Sequence, residues 1–224
     1  MCYDAASSIK TFAFATIASI FLIWRNYPGD RVIGSMWFAV SAMQLAEYMM
    51  WKNQQCNTTN RYASIAAVLI LVIQPLALIA SIYLFGNSIL SKSTLFISTI
   101  IAALIALGSC IFVLKRMSRQ KRICTLPGKQ GFLEWDLDAL SGKNKVPMIL
   151  AAIFGLYYWG SSGFLLTLRP LSQGIVYFLM FTLSLFFSFA FTNFADKEWK
   201  SFWCWLINYL LIIPVISGYL IKKT

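Results

Sequence analysis

Residues 32–51 read Val32-Ile-Gly-Ser-Met-Trp37-Phe-Ala-Val-Ser41-Ala-Met-Gln44-Leu-Ala-Glu47-Tyr-Met-Met-Trp51. As a helix rising about 1.5 Å per residue, this run is about 30 Å long, the thickness of a bilayer's hydrocarbon core. A single acid, Glu47, interrupts it. A carboxylate at that depth costs on the order of a few kcal/mol unless it is paired, protonated or facing water, so a functional role is its default reading. Trp37, Ser41, Gln44, Glu47 and Trp51 recur at steps of three and four, which puts them on one polar and aromatic stripe of an apolar rod.

The rest of the chain is built of similar runs. Of 224 residues, 59% are hydrophobic and 12% charged, with a mean hydropathy of +0.69. Soluble domains carry about 25% charge, so composition alone implies a protein that crosses a membrane several times. Seven runs are long enough to span: 9–24, 32–51, 62–85, 94–114, 146–168, 174–194 and 202–221. The expected fold is therefore all-α, a single domain over 1–224 forming an integral membrane bundle of seven transmembrane helices.

Several features punctuate the runs. Pro28-Gly29 marks a turn after the first. Gln74-Pro75, at the middle of the third, predicts a kink with a freed carbonyl facing the bundle. The fourth is uniform Ile, Leu and Ala and predicts a lipid-facing or closely packed helix. In the fifth, Gly155, Gly160 and Gly163 predict close helix approach and offer a face for a second copy of the chain. The sixth places Tyr177, Ser184, Ser188 and Thr192 on one face. The seventh carries Asn208 and kinks at Pro214. No internal repeat points to an inverted-repeat transporter.

The net charge is +11, and 13 of the 19 Lys and Arg fall on the N-terminal side of a seven-span bundle against 6 on the other. The positive-inside rule then predicts a cytoplasmic N-terminus. Eight of the 13 lie in the one long connection, the basic and amphipathic loop 115–145. Its cluster Lys115, Arg116, Arg119, Lys121 and Arg122 is read as an anchor on anionic lipid rather than a nucleic-acid site. The alternating stretch 131–140 predicts an interfacial strand or short amphipathic helix on the bilayer, or a cap over the bundle mouth. Asn57-Thr58-Thr59 matches a glycosylation sequon but is read as chance in so short a link. The first run leads straight into a second and lacks a basic n-region, so it is not read as a cleavable signal.

Histidine is absent, which removes the commonest general base, the usual haem ligand and most zinc sites. The seventh run holds no lysine for a retinal Schiff base, so neither haem nor retinal is expected and no cofactor is assigned. P-loop, GxSxG and HExxH patterns are missing. The five cysteines form no CxxC pair, and Cys110 and Cys204 sit in apolar runs as small core residues. Cys2 and Cys124 share the face predicted for Glu47. They stand as weak candidates for a metal or reactive-thiol site, as a disulfide pair, or as neither.

The opening Met1-Cys2-Tyr3-Asp4-Ala5-Ala6-Ser7 and the motif Gln44-Leu-Ala-Glu47-Tyr-Met-Met-Trp51 resemble a family of uncharacterised multi-pass membrane proteins of bacteria and giant viruses. Its members begin Met-Cys-Phe-Ser-Ala and carry Gln-x-x-Glu-x-x-x-Trp in the second helix. The loop Cys124-Thr-Leu-Pro-Gly128-Lys-Gln-Gly131-Phe132-Leu-Glu-Trp135 is similar to the family's cysteine followed by Gly-His-Leu-x-Trp. Phe132 stands at the histidine position, so the resemblance carries no metal role over. It covers about half the chain and implies no activity.

These readings lead to a proton or small-cation channel or transporter. Glu47 would bind or gate, with Gln44, Trp51, Gln74, Asn208, Ser184 and Ser188 lining the path. The alternatives are a membrane enzyme or redox protein using Cys2 and Cys124 beside Glu47, and a non-catalytic seven-helix receptor or scaffold.

Overall fold

A computed structural model describes residues 4–119, 123–135, 146–192 and 198–221. Cys2, Lys121 and Arg122 lie outside the described residues, as do the acids Asp136, Asp138 and Asp196. The described chain is helical apart from one tiny hairpin. Helix α1 spans Ala5–Arg25, α2 Asp30–Lys52, α3 Thr58–Phe85 and α4 Lys92–Ser118. The hairpin pairs β1 (Leu126–Pro127) with β2 (Leu133–Glu134), antiparallel. After it come α5 (Val146–Gly163), a 3-10 turn (Phe164–Thr167), α6 (Leu171–Phe191), α7 (Trp199–Leu210) and α8 (Ile212–Ile221).

Local chemistry sets the helix ends. Asp4 accepts the Ser7 amide at α1, Asn57 that of Asn60 at α3, and Ser91 that of Thr94 at α4. Each side chain satisfies one of the amides that a helix start leaves without an intrahelical partner. Asn26 and Gly29 adopt left-handed backbone between α1 and α2, so the predicted turn is present. Pro75 is carried inside the continuous α3. The seventh run is instead broken at Leu211, just before Pro214. Proline has no N–H for the Leu210 carbonyl and its ring crowds that group.

Helices α1 to α4 pack as successive antiparallel neighbours, and α2 lies at the centre against α1, α3 and α7. Gly34 makes the α1–α2 approach close, since a Cβ there would sit 2.7 Å from the Ser19 carbonyl oxygen. Gly174 has the same role beneath the 3-10 turn, where a Cβ would lie against the Leu165 carbonyl. The glycines expected to do this, Gly155, Gly160 and Gly163, have no described atom within 4 Å of such a Cβ. The α5 contacts to its neighbours are made by Tyr157 and Tyr158 instead, and Gly160 lines an open cleft with Ile79 of α3 and Ile101 of α4.

Exposure is inverted relative to a soluble protein. Large apolar side chains such as Trp24, Leu104, Leu156 and Phe186 stand outside, while Ser41, Gln44, Glu47, Gln74 and Asn208 are enclosed. Hydrocarbon solvent favours that arrangement, and α4, with Ile97, Ile101, Leu104 and Leu107 exposed, is the expected lipid-facing helix. Among the described residues, five segments are long and apolar enough to cross a membrane: α1, α3, α4, α6 and the Lys200–Ser217 stretch through α7 into α8. Helix α2 falls short in apolarity through its inward stripe of Ser41, Gln44 and Glu47.

Candidate functional site

Three helices each turn a polar stripe inward and pack against one another. On α2, Trp37, Ser41, Gln44 and Glu47 are enclosed and Trp51 is half-buried. On α1, Ser8, Thr11, Ala15, Ser19 and Leu22 recur at steps of three and four, and each is fully buried. On α7 the matching set is Ser201, Cys204 and Asn208, continued by Leu211 just past its end. Cross-links tie the three together. Thr11 Oγ1 donates to the Tyr209 hydroxyl at 3.3 Å, the Thr16 and Ser41 hydroxyls lie 3.4 Å apart, and Trp37 Nε1 donates to the Ile207 carbonyl at 3.0 Å. Asn208 was read from the sequence as lining the path, whereas the α1 stripe and Ser201 escaped that reading because serine and threonine are inexpensive in an apolar helix, where each can return its hydroxyl to a carbonyl one turn back. Their 3–4 spacing was the available signal.

Glu47 is completely buried, and its Oε2 accepts a hydrogen bond from Gln44 Nε2 at 3.0 Å. The pairing one helical turn apart is what the stripe predicts. Along the same three helices, Ser19 Oγ, Ser201 Oγ and Asn208 Oδ1 are enclosed with no hydrogen-bond partner among the described residues. Asn208 spends its amide on the Cys204 carbonyl at 2.6 Å, which leaves the oxygen for something else. Trp51 Nε1 likewise has no partner there.

Gln74, Ser184 and Ser188 do not join this seam. Gln74 accepts the Tyr158 hydroxyl, and Tyr158 stacks on Phe181 and meets Trp203 edge to face. Trp203 Nε1 donates to Ser184 Oγ at 3.0 Å, and Ser188 Oγ donates back to the Ser184 carbonyl at 2.8 Å. These residues form a network among α3, α5, α6 and the neighbouring face of α7, bordering the seam at Cys204. A single helix carries both faces, Trp203 toward α6 and Cys204 and Asn208 toward α1 and α2. Helical rotation of about 100° per residue separates such neighbours.

Residues 123–135 pack over the Glu47 end of the bundle; of the stretch 131–140, for which a cap was one reading, 131–135 take part and 136–140 lie outside the described residues. Leu133 and Trp135 enter the same core as Met43 and Met50 of α2, and the Phe132 ring lies 5.0 Å from that of Phe202. Phe132 is thus a core residue. Asn60 holds the cap from below, donating to the Thr125 carbonyl and accepting its amide, both at 2.9 Å. Glu198, fully buried at the start of α7, accepts the Gln130 amide at 2.9 Å and the Phe132 amide at 2.8 Å. Neither Asn60 nor Glu198 was singled out from the sequence.

Cys124 is bonded to Cys56 in a disulfide. A Cys2–Cys124 pair, one of the three readings of these cysteines, is therefore corrected, and a metal or thiol site at Cys2 and Cys124 loses its Cys124 thiolate. The sequence pointed to Cys124 through the family-like loop. Cys56 has no such motif around it, and only the approach of the 53–57 link to the cap brings the two together.

At the other end, Arg25 and Asp30 form a buried bidentate ion pair, Nε to Oδ2 at 2.7 Å and Nη2 to Oδ1 at 2.9 Å. Arg25 also donates to the carbonyls of Val215 and Pro214 at 2.6 and 2.8 Å. The seam is thus bounded by a folded cap at one end and an ion pair at the other. Enclosed oxygens lie between them.

Fold and site define a helical membrane protein with an interior carboxylate beneath a cap. No family model, no curated protein and no solved structure matches this chain.

Proposed function

We propose that the protein is a seven-span bundle that carries protons or small cations, with Glu47 as the binding or gating group and the α1–α2–α7 seam as the route. The observation that carries this reading is the set of enclosed oxygens without partners, Ser19 Oγ, Ser201 Oγ and Asn208 Oδ1, on the helices that hold Glu47. A buried polar atom left unsatisfied costs about 1–3 kcal/mol, so three on one seam call for water or a cation to supply the missing contacts. These three are oxygens, as hydrated protons and hard cations require, and the unpartnered Trp51 Nε1 on the same seam is a donor that water can satisfy. Gln44 holds the Glu47 carboxylate, while Gln74, Ser184 and Ser188 brace α7 from its other side and leave the path. Lys115, Arg116 and Arg119, with Lys121 and Arg122 beyond them in sequence, meet anionic lipid. Gly155, Gly160 and Gly163 leave room on α5 for a second copy. The test is ion or proton flux into liposomes holding purified protein. Glu47→Gln keeps the Gln44 contact and removes the charge, and it is expected to reduce flux at least tenfold. Unchanged flux in a folded Glu47→Gln variant removes the proposal.

A further inference from the structure

The Cys56–Cys124 bond carries an inference that holds whether or not Glu47 moves ions. It joins the link after α2 to the start of the cap across 68 residues of sequence. Both segments lie at the bundle end where α1 and α3 begin and α2 and α4 finish. Cys56 is exposed and Cys124 half-buried, so the bond is open to whatever reductant the surroundings hold. Glutathione and thioredoxin systems keep such pairs as thiols in a cytosol, whereas oxidising compartments let them persist.

We infer that the capped end faces the non-cytoplasmic side of the membrane and that the disulfide latches the cap over the Glu47 end of the seam. The count of Lys and Arg points the other way, 13 against 6, and the two must be weighed. Eight of those 13 belong to the connection 115–145, and without it the ends carry five and six, which is no bias. Part of that loop's charge has a local task. Lys115 and Arg116 occupy the last turn of α4, and Arg61 donates to the Met117 and Ser118 carbonyls there. Cations at a helix C-terminus complement its dipole on either side of a membrane. A charge bias inclines topology, whereas an exposed disulfide depends on its compartment for survival, so the disulfide decides.

The test uses a variant retaining Cys56 and Cys124 alone (Cys2→Ser, Cys110→Ala, Cys204→Ala), with the unaltered chain in parallel in case the variant folds poorly. Intact cells are treated with a membrane-impermeant polyethylene-glycol maleimide, before and after a membrane-impermeant phosphine reductant. The expected result is no shift in gel mobility before reduction and a shift of two labels after it. Labelling of intact cells without reductant overturns the latch. Labelling that appears only once the membrane is opened overturns the orientation. In the unaltered chain, the same gain of two labels on reduction is expected.

Discussion

At Gly128 a missing side chain decides a contact. A Cβ built there would run into the Glu198 carboxyl group, which the Gln130 and Phe132 amides hold from the same loop. Gly128→Ala is expected to push the cap off that carboxylate and to cost about 1–3 kcal/mol, the usual range for overpacking. A lowered unfolding temperature in detergent would show it, and an unchanged one would mean that the cap does not rest on Glu198. Asp4 gives a pH-dependent companion. The Ser7 amide, at 2.6 Å, holds its carboxyl below the usual value. Because the folded value is depressed, its contribution is present above the unfolded pKa of about 3.9 and is lost as pH falls through the folded value. Asp4→Asn keeps the cap and should flatten that acidic part of the stability profile. Glu47 was legible at this scale because one acid in an apolar run cannot be hidden. Glu198 was not, since a carboxylate held by loop amides about 70 residues away in sequence leaves no periodic trace.

Elements were read well where periodicity or proline governs, and poorly where turns make tertiary contacts. The seven apolar runs map onto α1 to α8, with the last divided ahead of Pro214 as its backbone chemistry requires. The segment 25–31 was read as a turn, and a turn it is, but two of its three charged residues, Arg25 and Asp30, also form a buried clamp on α8. Removing one partner alone strands the other. Arg25→Leu is expected to cost about 3–5 kcal/mol, while Arg25→Leu with Asp30→Leu is expected to fall within about 1 kcal/mol of the native chain. Thermal unfolding of the two variants in one detergent separates the cases. Equal losses in both would mean that Arg25 acts through the Pro214 and Val215 carbonyls rather than through Asp30. The glycines of α5 show the opposite error. Gly155, Gly160 and Gly163 have the spacing of a packing face, yet the contacts they suggested are made by Gly34 and Gly174, where a neighbouring backbone leaves no room for a Cβ.

For the molecule as a whole, apolar content pointed to the solvent it folds in, and the outward Ile, Leu and Phe of α1, α4 and α6 bear that reading out. Sidedness and the cap belong to long-range contacts, and the disulfide is where their energetics can be measured. In the chain-entropy account, closing a loop of about 69 residues removes about 4 kcal/mol of freedom from the unfolded chain. That figure assumes a featureless unfolded state. If α3 and α4 stay packed as a hairpin when the rest unfolds, their ends are already together, and the bond closes only the few residues beside Cys56 and Cys124. A loop of about 7 residues is worth about 2 kcal/mol in the same account. Helices that persist within a membrane or micelle favour the smaller value, so Cys56→Ser is expected to cost about 2 kcal/mol when unfolding is followed in detergent. A cost near 4 kcal/mol would mean that the α3–α4 hairpin comes apart with the rest. A cost near zero, in a chain whose native form is oxidised, would mean that Asn60, Glu198 and the buried Phe132, Leu133 and Trp135 hold the cap without the bond.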